Sequence, residues 1–184
     1  GIDNGFTSIM YDGSKLELNE NIEKTATIVE LGHKAGISVE GEIGFVGYNQ
    51  GKESLKTNPN EAKKFADETR CDAMAISVGN THLQLDKNTN VDIQDIVAVQ
   101  NLTDTALVLH GGSGIDLLLR AKIARETNVC KFNIGTELRK TFGDSLRVSL
   151  KNNPETYDKI QLLDSTTNDI KKATKIVIEN LSKV

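Results

Sequence analysis

The sequence is poor in several residue types, and each shortage argues against a class of protein. Its 184 residues include no tryptophan, two cysteines and two prolines, which is unlike a disulfide-rich or proline-rich scaffold. Its 22 basic and 26 acidic residues give a net charge of -4, so a nucleic-acid partner or an anionic membrane surface is not expected. No apolar run approaches the roughly 20 residues of a membrane span, and no signal segment is evident.

The amount of apolar sequence suits one packed domain. Hydrophobic residues make up 38% of the chain, which supports a single core over residues 1–184. Cys71 and Cys130 each lie just ahead of an apolar run, a position that favours reduced thiols over a disulfide. We therefore expect a cytoplasmic protein.

Short apolar runs alternate with amphipathic helical patterns. Runs rich in β-branched residues predict five strands, at 6–12, 37–43, 73–79, 105–111 and 130–136. Helical patterns cover 19–36, 58–69, 115–127, 136–150 and 168–181, and Asn58 with Pro59 has the signature of a helix start. This alternation predicts an α/β fold with a parallel sheet.

The number of strands leaves two architectures open. A closed (β/α)8 barrel needs eight strands, and this chain predicts five. It is either an open five-stranded sheet or the later part of a barrel whose first strands are absent from the chain, and we favour the second. In both cases chemistry is expected at the carboxyl ends of the strands.

Two of the three histidines follow predicted strands directly. His82 and His110 are therefore candidates for a shared zinc site at one end of the sheet. The alternative is that both only hydrogen-bond their own loops. His33 lies near a helix end and is expected to interact with the last carbonyl groups of that helix.

Glycine-rich turns follow the fourth and fifth predicted strands. The turns are "HGGSG" at 110–114 and "NIGT" at 133–136. Closely spaced backbone N–H groups, with Ser113 and Thr136 as hydroxyl donors, can surround a phosphate. An ordinary turn is the alternative reading of each glycine run taken alone.

Three further polar residues lie at or near strand ends. Asp12 and Glu42 end the first two predicted strands, where a carboxylate either supports a metal or acid–base site or anchors a neighbouring loop. Asn133 lies among apolar residues, and its amide needs a partner, either a substrate hydroxyl or an ordinary backbone group.

Five of these segments together resemble a known family. "GFTSIMYDGS", "VEGEIG", "AISVGNTH", "LVLHGGSG" and "KFNIGTELR" are similar, in order and spacing, to the last five strand ends of class II zinc-dependent aldolases. That family cleaves fructose or tagatose 1,6-bisphosphate. The resemblance implies a (β/α)8 TIM barrel of which this chain supplies about the last five βα units, and a homodimer or homotetramer with a role such as glycolysis.

The resemblance also implies residue roles. His82 and His110 match two of three Zn²⁺ ligands, whereas the third ligand and the proton-transfer aspartate belong to an earlier strand, so no catalytic residue is assigned here. Asp12 and Glu42 match acidic positions that support the metal. Substrate-binding positions, some shared with a monovalent cation (Na⁺ or K⁺), match Leu83, Gly111, Gly112, Ser113, Asn133, Ile134, Gly135 and Thr136.

The sequence departs from the family at three positions. Glu53 is the only acid in a shortened loop, where the family commonly carries adjacent acidic residues, one of which acts on the substrate proton. Leu83 stands where the family often has a glycine directly after the histidine. The resemblance therefore implies only a contact through the backbone of Leu83. Gly135 replaces a more usual acidic or amide residue and leaves the sugar specificity open.

Three functions are consistent with these residues. The first is a metal-dependent aldolase that reversibly cleaves a phosphorylated ketose to dihydroxyacetone phosphate and an aldehyde. Lys131 is predicted to open its strand, far from the site, which disfavours a Schiff-base mechanism. The second is a metal-free phosphate-binding isomerase, and the third is a non-catalytic fragment that retains the phosphate loops.

Overall fold

A computed structural model describes residues 1–47, 54–80 and 91–182. Five parallel strands form one sheet and lie in it in chain order. The strands are β1 Ser8–Tyr11, β2 Ser38–Ile43, β3 Ala73–Ile76, β4 Ala106–Leu109 and β5 Val129–Phe132. The predicted parallel α/β sheet is confirmed. Most strands stop before the polar and glycine residues that end the predicted runs, because those residues form turns.

Helices connect the strands and complete the chain. They are α1 Leu18–Lys34, α2 Pro59–Thr69, α3 Ile93–Gln100, α4 Leu117–Glu126, α5 Thr136–Asn152, α6 Lys159–Asp164 and α7 Thr167–Leu181. Five of these had been predicted, whereas α3 and α6 had not. The signal for α3 was Asp92, whose side chain accepts a hydrogen bond from the Gln94 amide at 2.9 Å. Within the described ranges, no helix is long and apolar enough to cross a membrane.

The start of α2 shows why that helix could be predicted. Asn58 Oδ1 accepts hydrogen bonds from the backbone N–H groups of Asn60 at 2.9 Å and Glu61 at 3.3 Å. Pro59 occupies the first helical position, where a missing N–H costs nothing. The cap and the proline therefore fix the same boundary.

The two faces of the sheet differ in chemistry. The face under the helices carries buried apolar side chains, and these form the core with Ile22, Val29 and Phe65. Gly41 lies on this face, and a Cβ there would be 2.8 Å from the ring of Phe65. Glycine is thus needed where β2 lies closest to α2.

The opposite face carries the charged groups. Glu40 and Glu42 alternate with Gly41 along β2, so both project from the face opposite to the core. Lys131 is in register with Val108, which is itself in register with Ala75 and, through it, Glu42. On this face, Ala75 and Val108 of the central strands therefore lie between the carboxylates of β2 and Lys131 of β5.

His33 lies near the amino ends of the strands, away from this charged face. Its Nε2 is 2.9 Å from Asp72 Oδ2, and the same oxygen accepts a hydrogen bond from the Val39 amide at 2.7 Å. The expected partner was the carbonyl end of α1, and the observed side-chain partner is this carboxylate. The contact fastens the end of α1 to the segment between α2 and β3.

Replacing Asp72 by asparagine is expected to lower stability in a pH-dependent way. Burial raises the pKa of Asp72, but hydrogen bonds from Val39 and His33 outweigh burial and lower the pKa overall. The ionised group therefore stabilises the fold above its unfolded pKa of about 3.9, and this contribution is lost as the pH falls through the folded value. Asp72→Asn should cost about 1 kcal/mol at pH 7 and clearly less at pH 3, measured by urea unfolding.

Asp67→Asn is the matched control, because Asp67 is an exposed partner of Lys63 on α2. It should change the free energy of unfolding little at either pH. Equal losses for Asp72→Asn at both pH values would show that its charge contributes nothing.

Candidate active site

His110 is the centre of a buried cluster at the carboxyl end of β4. The residue is 5% exposed. Its Nε2 lies 3.1 Å from Glu40 Oε1, and its Nδ1 lies 3.3 Å from Glu42 Oε2. Strand alternation explains why His110 contacts both glutamates. Leu109 projects to the core face, so His110, the next residue, projects to the charged face. The sheet thus brings His110 and Glu42 together, as their strand-end positions suggested.

The two glutamates have different electrostatic surroundings. Burial raises the pKa of Glu42 to about 7; the His110 ring opposes this, and Asp12 and Glu40 add to it. Burial also raises the pKa of Glu40, but hydrogen bonds from His110 and Lys131 outweigh it and lower the pKa overall. Glu40 is therefore the fixed negative charge of the cluster.

Lys131 does not occupy the predicted place. It is the third residue of β5, and its Nζ lies 2.6 Å from Glu40 Oε2. The prediction that it opens the strand far from the site is wrong, because β5 begins earlier, at Val129, and its pairing with β4 shifts between Leu107 and Val108. Its side chain is 47% exposed, so Lys131 closes the cluster on its open side.

Asn80 fixes the backbone beside His110. It is fully buried, its Nδ2 donates to the His110 carbonyl at 2.9 Å, and its Oδ1 accepts from the Val78 amide at 2.8 Å. This buried amide thus joins the segments that directly follow β3 and β4. Asn80 was part of a polar stretch in the sequence but had no assigned role.

The glycine-rich turns after β4 and β5 are joined to each other. The Gly112 amide donates to the Asn133 carbonyl at 3.1 Å. Ser113 Oγ accepts from the amides of Gly135 at 3.1 Å and Glu137 at 3.2 Å. The two segments therefore form one unit, as their pairing in the sequence predicted.

The geometry of this unit depends on Gly111. Its φ of 66° lies in the left-handed region, where residues with a side chain are strained. This turn lets the chain reverse directly after His110 and lie against 133–137. Thr136, the first residue of α5, follows the second turn directly.

Asp12 has a local role in this conformation. Its Oδ1 accepts hydrogen bonds from the Ser14 amide at 3.0 Å and the Ser14 hydroxyl at 2.6 Å. It anchors the turn after β1, one of the two roles considered for it, and it acts on Glu42 through its charge. His82, Leu83 and Glu53 lie outside the described residues.

The cluster fits part of a zinc site. Protein zinc sites are usually tetrahedral with nitrogen and oxygen ligands at about 2.1 Å, which places two ligand atoms about 3.4 Å apart. The 3.3 Å separation of His110 Nδ1 and Glu42 Oε2 matches that value. Across residues 1–47, 54–80 and 91–182, no group of three or more potential ligands is arranged to hold a metal. His110 and Glu42 therefore have the chemistry and spacing of zinc ligands, and the described residues alone do not form a metal site.

Sequence reasoning gave no role to Glu40, Asn80 or Arg120, and it placed Lys131 away from the site. Glu40 could have been found, because residues two apart on a strand share a face and Glu42 was already a candidate. Arg120 is fully buried on α4 and bonds the Gly112 carbonyl at 3.3 Å. Nothing in the helical pattern distinguishes it from an exposed arginine.

A parallel sheet with crossover helices and a polar cluster at its carboxyl ends is the arrangement of α/β barrels and doubly wound sheets. The family model for class II fructose-bisphosphate aldolase matches residues 1–184, and the chain belongs to that family. A sulfofructosephosphate aldolase of Alkalicoccus urumqiensis is 34% identical over 160 residues, which is 83% of this chain and 55% of that protein.

Solved structures support the same fold. The YdjI aldolase of Escherichia coli K12 is 29% identical with a TM-score of 0.80, over 98% of this chain and 62% of that one. A fructose-bisphosphate aldolase of Campylobacter jejuni is 25% identical with a TM-score of 0.78, over 97% and 60%. The chain thus spans 55–62% of the length of these relatives. Its five βα units are consistent with a partial barrel.

Proposed function

We propose that the protein is a metal-dependent aldolase that reversibly cleaves a phosphorylated ketose to dihydroxyacetone phosphate and an aldehyde. The observation that carries the proposal is the placement of His110 between Glu40 and Glu42, directly before the joined glycine turns. A metal ligand and a phosphate site side by side suit a substrate that has a carbonyl group next to a phosphorylated carbon.

Each part of the cluster has a role in this proposal. His110, together with His82, would hold Zn²⁺, and Glu42 offers a further oxygen next to the ring. When bound, the metal supplies Lewis-acid stabilisation of the negative charge that develops as the carbon–carbon bond breaks. Glu40 orients the His110 ring, as carboxylates commonly do for ligating histidines. Lys131 keeps Glu40 ionised.

The joined turns would bind the phosphate end of the substrate. Gly111, Gly112 and Ser113 form one side, with a Na⁺ or K⁺ ion, and Asn133, Ile134, Gly135 and Thr136 form the other. The amides of Gly112 and Gly135 already donate within the unit. They hold its shape and reduce the reorganisation that binding requires, and the phosphate would be bound by other donors of the two turns. Leu83 would contribute a backbone contact.

The proposed substrate class is the phosphorylated ketoses, which is narrower than all sugar phosphates and includes more than one compound. The family name points to fructose 1,6-bisphosphate, and the Alkalicoccus relative is named for a sulfofructose phosphate. Gly135 lacks a side chain, and the guanidinium of Arg139 lies against its position. Fructose 1,6-bisphosphate, tagatose 1,6-bisphosphate and a sulfofructose phosphate therefore form the panel to compare.

We further infer a reduced cytoplasmic setting and a homodimer or homotetramer. Cys71 and Cys130 are free thiols, the first buried and the second exposed, which fits a reducing compartment. Light scattering coupled to size-exclusion chromatography gives the number of subunits directly.

Removing metal from the full-length protein is expected to abolish cleavage, and adding Zn²⁺ is expected to restore it. Release of dihydroxyacetone phosphate from each ketose in the panel is measured before and after chelation. Borohydride added with substrate should leave the activity unchanged, because no lysine adduct forms.

Three outcomes would contradict this mechanism. Full activity after chelation, lost with borohydride, would assign the chemistry to Lys131, which lies within reach of the cluster. Isomerase turnover without bound zinc would favour the metal-free alternative. Phosphate binding without any turnover would favour a non-catalytic phosphate-binding protein.

A further inference from the structure

Arg120 is a buried charge next to the proposed phosphate site. It lies on α4, and its side chain is 0% exposed. Nη1 donates to the Gly112 carbonyl at 3.3 Å and to Glu137 Oε2 at 3.0 Å, and Nε donates to Asn180 Oδ1 at 2.8 Å. One planar group therefore contacts the turn after β4, the start of α5 and the last helix, α7.

Burying this guanidinium is costly for stability. Nη2 is buried and has no hydrogen-bond partner among the described residues. A buried donor without an acceptor lowers the stability of the fold. Apolar side chains of similar volume can often replace buried ion pairs without loss of stability. A role in positioning would account for a group that stability alone does not favour.

We propose that Arg120 is a positioning residue that holds the two phosphate-binding turns at a fixed separation. The inference rests on the proposed function, because it assumes that these turns bind phosphate. Gly112 is held from both sides, through its amide by Asn133 and through its carbonyl by Arg120. Glu137, which follows the second turn, is held by the same Nη1.

The contacts indicate that Arg120 acts through position more than through its charge. Glu137 lies 3.0 Å away and offsets the positive charge, so little of it is left to attract an anion. Asn180 fixes the other edge of the guanidinium, and its Nδ2 bonds the Leu117 carbonyl at 2.9 Å. The C-terminal helix thereby supports the phosphate site from behind.

Substitution of Arg120 in the full-length, metal-loaded protein tests the inference. Arg120→Lys keeps the charge but cannot reach three acceptors in one plane, and Arg120→Met keeps the volume without polar groups. Both are expected to weaken binding of inorganic phosphate about 10-fold, the loss typical of one or two hydrogen bonds. KM for the ketose should rise similarly, with kcat changed less. Arg125→Lys and Arg125→Met, on an exposed position of the same helix, should match the parent.

Variants at Asn180 separate positioning from simple destabilisation. Asn180→Asp keeps the oxygen that accepts from Arg120 Nε and loses the bond to Leu117, whereas Asn180→Ala loses both. If Arg120 positions the turns, phosphate affinity should fall for Asn180→Ala and be largely kept in Asn180→Asp, even where both lower the melting temperature. This pair also provides a test if Arg120→Met fails to fold.

The outcomes distinguish this inference from the proposed function. If the parent protein binds phosphate but cleaves no ketose, the aldolase proposal is refuted. The phosphate affinities of the Arg120 variants would then still test the positioning role. Unchanged phosphate affinity and KM in folded Arg120→Lys and Asn180→Ala would overturn the positioning role. Parent protein that binds no phosphate would overturn both.

Discussion

His110→Ala is expected to remove almost all cleavage activity from the full-length protein. The imidazole lies between two buried carboxylates, and no other histidine among the described residues is near this cluster. Metal-ion catalysis is worth several kcal/mol of barrier, so kcat/KM should fall about a thousandfold or more. Bound zinc should fall in parallel, as measured by elemental analysis after dialysis.

Loss of metal has to be separated from loss of fold, because His110→Ala also leaves Glu40 and Glu42 without their shared partner. His110→Asn keeps an amide that can hydrogen-bond one carboxylate, and it should retain more stability while remaining inactive. His33→Ala is the control for removing a histidine, since His33 pairs with Asp72 away from the site. Normal zinc content in a folded His110→Ala protein would contradict the assignment of His110 as a ligand.

The sheet and the centre of the site could be predicted from local sequence. Apolar runs that end in polar residues marked the strand ends, and parallel strands bring such ends to one edge. That reasoning placed His110, Glu42 and the two glycine turns together, and the structure joins them. The helix start at Asn58 followed from capping chemistry in the same way.

The other residues of the site could not be predicted from local sequence, because their positions depend on contacts between distant parts of the chain. Lys131 was misplaced because the start of β5 and the irregular pairing of β5 with β4 are set by tertiary packing. Arg120 was missed because its burial depends on α5 and α7, which come later in the chain. Asn80 lies in a turn whose role becomes visible only when the end of β3 is placed beside His110.

Glu40→Ala is expected to have the second-largest effect, on both stability and metal affinity. Glu40 joins His110 Nε2 to Lys131 Nζ, so its removal leaves a buried ring without one partner and a lysine without its ion pair. Removing one member of a buried pair typically costs about 3–5 kcal/mol, and we expect about 3 kcal/mol because Lys131 can be rehydrated. Zinc affinity should fall about 10–100-fold, as for other carboxylates that orient ligating histidines.

Lys131→Met provides the matched comparison, because it removes the other end of the same ion pair from a half-exposed position. Its cost in unfolding free energy should stay below about 1 kcal/mol, and zinc affinity should change much less than in Glu40→Ala. Glu40→Gln should lie between the two, since the amide keeps the shape and can still hydrogen-bond the ring. If Lys131→Met lowers zinc affinity as much as Glu40→Ala does, the lysine and not the His110 contact is the group through which Glu40 acts.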